Sequence, residues 1–263
     1  MTAEEGLQVP EYGCPTRWSR PHWRILCYHA IPDDLTDAFR AQLAAFREMG
    51  FSFIGLDQGL KLCQGHGFTQ PMMTVTFDDG YRTVYENALP ILEELGIKGF
   101  HYLVVDYIDK GRNYRRRDPL PTMSWDQARE WIRIGHGVGS HTFSHVALDA
   151  CSDSGLLHEC AVSRQMLEEK LGIPVSHLAY PLGYHSRRTY RLLKAAGLYD
   201  SVATIDRGRM WTGHDLLKLR RDVCDPRWSV EFIVRVMGLA DRWYWLRHPR
   251  RYWQRHFCRG RGK

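Results

Sequence analysis

Short apolar runs alternate with helix-patterned segments along most of this chain, and that alternation leaves few folds open. Ile25 to Tyr28, Phe51 to Ile54, Met72 to Phe77, Gly99 to Val105, Val138 to Ser140, His177 to Tyr180, Ser201 to Thr204 and Leu217 to Arg221 read as strands. Phe39, Leu43 and Phe46 recur at helical spacing over Asp37 to Met49, and Gly50 ends that helix. Val84 to Leu95 is a second helical stretch, stopped by Gly96. Ser124-Trp-Asp-Gln127 has the form of a capping box and opens a helix to Ile134. Leu156 to Leu171, with Gly172 and Pro174 behind it, and Ser186 to Ala196, with Gly197 behind it, complete the set before a last helix capped by Ser229. Strands interleaved with helices predict an α/β fold with a mainly parallel sheet. No internal repeat or low-complexity linker interrupts the pattern.

The residues able to do chemistry fall at one kind of place. His29, Asp78 and Asp79, His141, Pro181-Leu-Gly183 and Arg221 all lie at or just past the C-terminal end of an expected strand. In a β/α barrel those ends share one face, where reacting groups gather. Asp78 and Asp79 follow the apolar run Thr74 to Phe77 and precede Gly80. Like charges so close resist joint ionisation when buried, and a metal ion is the simplest remedy. His141-Thr-Phe-Ser-His145 offers two imidazoles, and one Asp with two His is a donor set for a divalent metal with open positions. The other Asp is then left for different work. Each signal has a plainer reading. An Asp pair alone is more often a turn or cap; a His-x-x-x-His pair alone is more often packing. Their joint presence beside a proline-glycine turn favours the site.

Composition sets the outer bounds. A chain of 263 residues with 44% hydrophobic content suits one large domain of barrel size. Seven cysteines, none in a C-x-x-C pair, indicate neither a zinc ribbon nor a disulfide framework. They read as reduced thiols. Met1 to Arg20 lacks a basic segment followed by an apolar one, so no signal peptide is expected, and no run approaches a membrane span. These point to a cytoplasmic protein. The net charge of +6 belongs to the last segment, since Asp241 to Lys263 carries eight basic residues against one acid.

The motifs together resemble the polysaccharide deacetylase family, the NodB-like carbohydrate esterases. Thr76-Phe-Asp-Asp-Gly80 matches its first motif and His141-Thr-Phe-Ser-His145, preceded by Gly135-His-Gly-Val-Gly-Ser140, its second. Ala179-Tyr-Pro-Leu-Gly183 is similar to the third, and Leu219-Arg-Arg-Asp-Val223 to a late strand. Cys27-Tyr-His-Ala-Ile31 resembles the opening strand of the circularly permuted branch. The resemblance implies a distorted (β/α)7-type barrel as a single catalytic domain over 24–240, with a lead segment at 1–23 and a basic aromatic tail at 241–263. It implies that Asp79, His141 and His145 bind the metal, that Asp78 is the general base, and that a backbone N–H near Leu182, in the turn Tyr180, Pro181, Leu182 and Gly183, holds the oxyanion. Two departures stand out: Ala179 replaces an arginine that orients the base, and the late histidine acid is missing. In the permuted branch a first-strand histidine is the acid, which maps to His29, and Arg221 would steady Asp78; the neighbouring Arg220 is the other candidate.

Amide hydrolysis needs an activated water, a polarised carbonyl and a proton for the leaving amine; a divalent metal serves the first two, and a histidine the last. Zinc is the default for these donors, with nickel, cobalt or manganese also fitting. The expected function is therefore removal of an N-acetyl group from an aminosugar in a glycan or lipid-linked glycan precursor. A deformylase on an aminosugar lipid and a catalytically silent carbohydrate-binding relative are the alternatives. His136, Trp125 and Trp131 read as structural, while Tyr28, Tyr81, Tyr184 and His185 read as candidates to line the cleft. In the tail, Trp243, Trp245, Tyr252, Trp253 and Phe257 interleave with arginines, which suits an anionic membrane surface more than nucleic acid; the plainer reading is a solvated tail or a helix packed on the barrel.

Overall fold

The computed structural model describes residues 20–112 and 120–247, the side chains of 240–247 excepted. Most of the lead segment and positions 248–263 of the expected tail lie outside these residues. The apolar runs form β1 (His22–Tyr28), β2 (Ser52–Phe53), β3 (Pro71–Phe77), β4 (Gly99–Leu103), β5 (Gly137–Ser140), β6 (His177–Ala179), β7 (Ser201–Ala203) and β8 (Asp222–Val223). They make one sheet in the order β7-β6-β5-β4-β3-β1-β8, with β2 added beside β3. Every strand pairing is parallel.

The segment after β7 closes the sheet on itself. Leu219 bridges Ala203 in parallel, with Leu219 N donating to Val202 O at 2.9 Å and Thr204 N to Leu219 O at 2.8 Å. A few residues on, β8 pairs Asp222 with Leu26 and Val223 with Cys27 of β1. One stretch of chain thus stitches β7 to β1 and gives the distorted (β/α)7 barrel.

Strand alternation divides the apolar side chains between two cores. Leu26 and Tyr28 of β1 face outward and pack with Phe39, Leu43 and Phe46 of α1 (Thr36–Glu48). Trp23 and Ile25 face the lumen, with Phe100 and Tyr102 of β4, Ala179 and Ala203. The lumen has room for the β4 rings because β5 is bare on that side. A Cβ at Gly137 would stand 2.3 Å from the Phe100 ring, and one at Gly139 2.7 Å from His177 O. The glycines ahead of the His141 motif are therefore packing requirements. Helix α2 (Leu56–Gln64) plugs the far end, placing Leu56, Leu60 and Cys63 in the same cluster.

The other helices are α3 (Leu89–Glu94), α4 (Val105–Asp109), α5 (Trp125–Arg133), α6 (Asp153–Leu171), α7 (Arg187–Ala196) and α8 (Val230–Arg247). The capping box of α5 forms, and Gly172 and Gly197 end α6 and α7 in the left-handed conformation. Several expectations shift. The run Val84 to Leu95 opens as a π-helical turn, Val84–Ala88, before α3, next to Pro90, which has no N–H for the ladder. Leu217 to Arg221 is not a continuous strand: Asp215 caps a 3-10 turn, Leu216–Lys218, Leu219 makes its single bridge to Ala203, and the next strand is β8. The strand expected to reach Val105 stops at Leu103, and the one-turn α4 follows. Among the described residues no helix is long and apolar enough to cross a membrane.

Candidate active site

The lumen face of β3 carries Thr74 and Thr76, and Asp78 continues that row past its end. Asp78 N donates to Tyr28 O at 3.1 Å, extending the pairing with β1. Regular strand geometry would send the next side chain to the opposite face. Asp79 instead takes φ 73°, the left-handed region that Asp tolerates better than most residues. Both carboxylates consequently line one cleft. The turn is held from beneath: Gly80, at φ 82°, donates its N–H to His101 Nε2 at 3.1 Å. Burial of His101 disfavours its charged form and lowers its pKa to about 4, which keeps that acceptor nitrogen free.

The two histidines come from the loop after β5, not from a helix. Thr142 and His145 both have positive φ, 67° and 57°. Ser140 Oγ accepts from Thr142 N at 3.1 Å, and Thr142 Oγ1 accepts from His145 N at 3.1 Å. Ser144 donates from its N–H and its hydroxyl to Glu159 of α6, at 2.9 and 2.6 Å. His141 Nδ1 lies 2.9 Å from Ala179 O. A carbonyl only accepts, so Nδ1 carries the proton and Nε2 presents its lone pair to the cleft.

These pieces converge. Asp79 Oδ1 is 3.6 Å from His141 Nε2 and 3.3 Å from His145 Nε2. Ligand atoms of the three residues all lie within 4.8 Å of one another. A tetrahedral ion with bonds of about 2.0–2.1 Å separates its ligand atoms by about 3.4 Å, which matches. Asp79 Oδ1 is also buried without a hydrogen-bond partner. Donor types and spacing together fit a divalent cation.

Asp78 is held separately. Arg221 Nη1 and Nη2 donate to its Oδ1 and Oδ2 at 2.6 and 2.7 Å. The guanidinium is fully buried, donates from Nε to Thr204 O at 2.9 Å, and lies 5.2 Å from the centre of the Tyr102 ring. Burial pushes the Asp78 carboxyl up. The charge of Arg221, followed by that of His141 and the Arg221 hydrogen bonds, outweighs burial and holds the group well below the usual carboxylate range. Arg220 points elsewhere, its guanidinium beside Gly208. His29 is exposed past the end of β1, with a ring nitrogen within 4.8 Å of an Asp78 oxygen.

The turn Pro181–Gly183 forms another wall. Leu182 has φ 58°, and a Cβ on Gly183, at φ 64°, would stand 2.1 Å from Ile205 Cγ1. Leu182 and Gly183 border the cleft, whose volume is about 780 Å³; Tyr180 and Pro181 do not. Both are buried, and the Tyr180 ring stacks on His185 at 5.3 Å. Tyr81 lines the cleft, whereas Tyr28 faces outward and donates its hydroxyl to Gln42 at 2.9 Å. Tyr107 of α4 lines it too, a residue the sequence reading did not single out because α4 itself was not expected. His136 accepts from Gly99 N and packs on Trp131, and Trp125 donates to Asp109, as structural residues do.

The polysaccharide deacetylase model matches residues 66–200, just over half of the 263. YxkH of Bacillus subtilis (strain 168), which is named among the polysaccharide deacetylases, is 23% identical over 186 residues, covering 68% of this chain and 63% of that protein. The poly-β-1,6-N-acetyl-D-glucosamine N-deacetylase of Staphylococcus aureus (strain MRSA252) is 22% identical over 169 residues, covering 61% and 57%. The chain thus spans less than two thirds of the length of these curated relatives. Among solved structures, the Streptococcus pyogenes deacetylase PplD in complex with acetate superposes with a TM-score of 0.71 at 23% identity, covering 83% of this chain and 99% of that one. IcaB from Ammonifex degensii gives 0.73 at 23% identity, covering 84% and 98%. At such identities the structures speak for the fold.

Proposed function

This chain belongs to the polysaccharide deacetylase family, and on that premise we propose that it hydrolyses the N-acetyl amide of an aminosugar in a glycan or lipid-linked glycan precursor. The observation that carries the reading is the pair of neighbouring carboxylates with separate duties. Asp79 is left with a bare buried oxygen facing two imidazoles, while Asp78 is clamped by Arg221. Asp79, His141 and His145 would hold a divalent metal, zinc by default, which supplies the charge that polarises the amide carbonyl and acidifies water.

The chain's own residues do the rest. Asp78 stays anionic through the working pH range because Arg221 holds it so, and it takes the proton of the attacking water. Arg221 fixes its orientation and balances its charge. His29, open to solvent beside Asp78, gives a proton to the leaving amine. A backbone N–H of the turn at Leu182 meets the oxyanion, as preorganised donors do at such sites. The name of the Staphylococcus aureus relative, an N-acetylglucosamine polymer deacetylase, supports an N-acetylated aminosugar as the substrate class. The basic aromatic tail supports a further element of the reading, contact with an anionic membrane surface on the cytoplasmic side, where lipid-linked substrates would be met.

The test is metal analysis together with a screen of acylated aminosugars in which released acid is quantified, acetate and formate separately. Asp78→Asn keeps its metal and loses at least about 100-fold in turnover. His141→Ala loses both metal and turnover. Full activity in Asp78→Asn would remove the base role.

A further inference from the structure

A second donor set adjoins the first. Cys27 Sγ, a His29 ring nitrogen and an Asp78 oxygen lie within 4.8 Å of one another. Cys27 is fully buried on the lumen side of β1, and its Sγ is 3.5 Å from Asp78 Oδ2. A tetrahedral ion bonded to sulfur at about 2.3 Å and to oxygen at about 2.0 Å holds those two atoms about 3.5 Å apart. Sulfur, imidazole and carboxylate together suit zinc and softer divalent ions.

We propose that Cys27, His29 and Asp78 form a second, weaker site for a thiophilic divalent cation, and that filling it stops the reaction. The inhibitory half rests on the proposed roles of Asp78 and His29; the metal site does not. Arg221 already balances the charge of Asp78, so this set attracts a cation less than Asp79, His141 and His145 do, and it fills second. As the metal–sulfur bond forms, the thiol proton leaves to solvent. The Asp78 oxygen and the His29 nitrogen are then committed to the ion. Neither is left to accept or deliver a proton. Metal in excess of one equivalent thereby becomes a brake.

The experiment is a cobalt titration of the metal-free full chain, with bound metal counted by equilibrium dialysis. The first equivalent binds without a thiolate-to-cobalt charge-transfer band in the near ultraviolet. The second brings that band, and Cys27→Ala abolishes it. His29→Ala, altered at an exposed position that does not endanger the fold, also weakens second-site binding at least tenfold. Absence of a second equivalent, or a band that persists in Cys27→Ala, overturns the site. In a second arm, acetate release is followed at one and at several equivalents of Zn2+. The wild-type rate falls tenfold or more, whereas the rate of Cys27→Ala, at whatever level it starts, stays flat. A wild-type rate that holds while the second site fills overturns the brake. If the proposed activity itself were wrong, no acetate would appear at one equivalent, and the cobalt arm would still read out.

Discussion

A buried guanidinium allows two adjacent carboxylates to share this cleft. Arg221 neutralises Asp78, and Asp79 faces the imidazoles of His141 and His145, so the two neighbours have different partners. Removing one member of such a pair leaves a charge stranded. Arg221→Met in the metal-free protein is expected to cost about 3–5 kcal/mol, and Asp78→Asn added to it to recover part of that; urea unfolding of the wild type and the two variants checks both. His101 supplies a second residue-scale expectation. Its pKa falls from 6.5 unfolded to about 4 folded. Between those values the unfolded chain binds the proton first. Its contribution is complete above pH 6.5 and drains away as the pH falls towards 4, by up to about 3 kcal/mol at about 1.4 kcal/mol per unit. His101→Gln should flatten the pH dependence of stability in that window. The paired aspartates and histidines were legible because each pair is local in sequence. The choice of Arg221 over Arg220 came from the family resemblance; the residue pattern by itself was silent, since the choice depends on which face of the closing segment each arginine occupies. His101 was silent as well, because its partner is a backbone N–H that no side-chain pattern records.

At the scale of elements, β5 owes its glycines to its neighbour. The sequence displays Gly137 and Gly139 plainly, but the reason for them, the rings of Phe100 and Tyr102, lies on another strand. Gly139→Ala forces a Cβ against the backbone carbonyl of His177, 2.7 Å away, which cannot swing aside. A loss of about 1–3 kcal/mol is expected; thermal melts against a Gly96→Ala control, where nothing stands within 4 Å but φ is +62°, separate crowding from backbone strain. Helix α1 was readable from its spacing and α5 from its capping box. Helices α2 and α4 were not: neither has a side-chain cap at its start, and α4 has only five residues. The expected strand at Leu217 had the right composition, but the Asp215 cap turned the chain first.

For the whole molecule, the alternation of strand and helix was enough to announce a parallel α/β architecture, and the placement of polar residues at strand ends pointed to the end of the barrel where the candidate site lies. How the sheet closes was not readable, because β8 has two residues and its partner β1 lies far away in sequence. The tail poses a question at this scale too. If it seats the protein on anionic lipid, full-length protein should sediment with phosphatidylserine-containing liposomes and a version ending near Leu239 should not; equal partitioning would defeat the membrane reading. The closing stretch has one more consequence. Arg221 lies on the strap that joins the last lumen strand to the first, so a chain emerging from the ribosome carries both aspartates and both imidazoles long before the counterion of Asp78 arrives. On the proposed function, competence should therefore switch on late and all at once: a nascent chain, or one clipped ahead of Arg221, would hold the whole donor set and yet be inert.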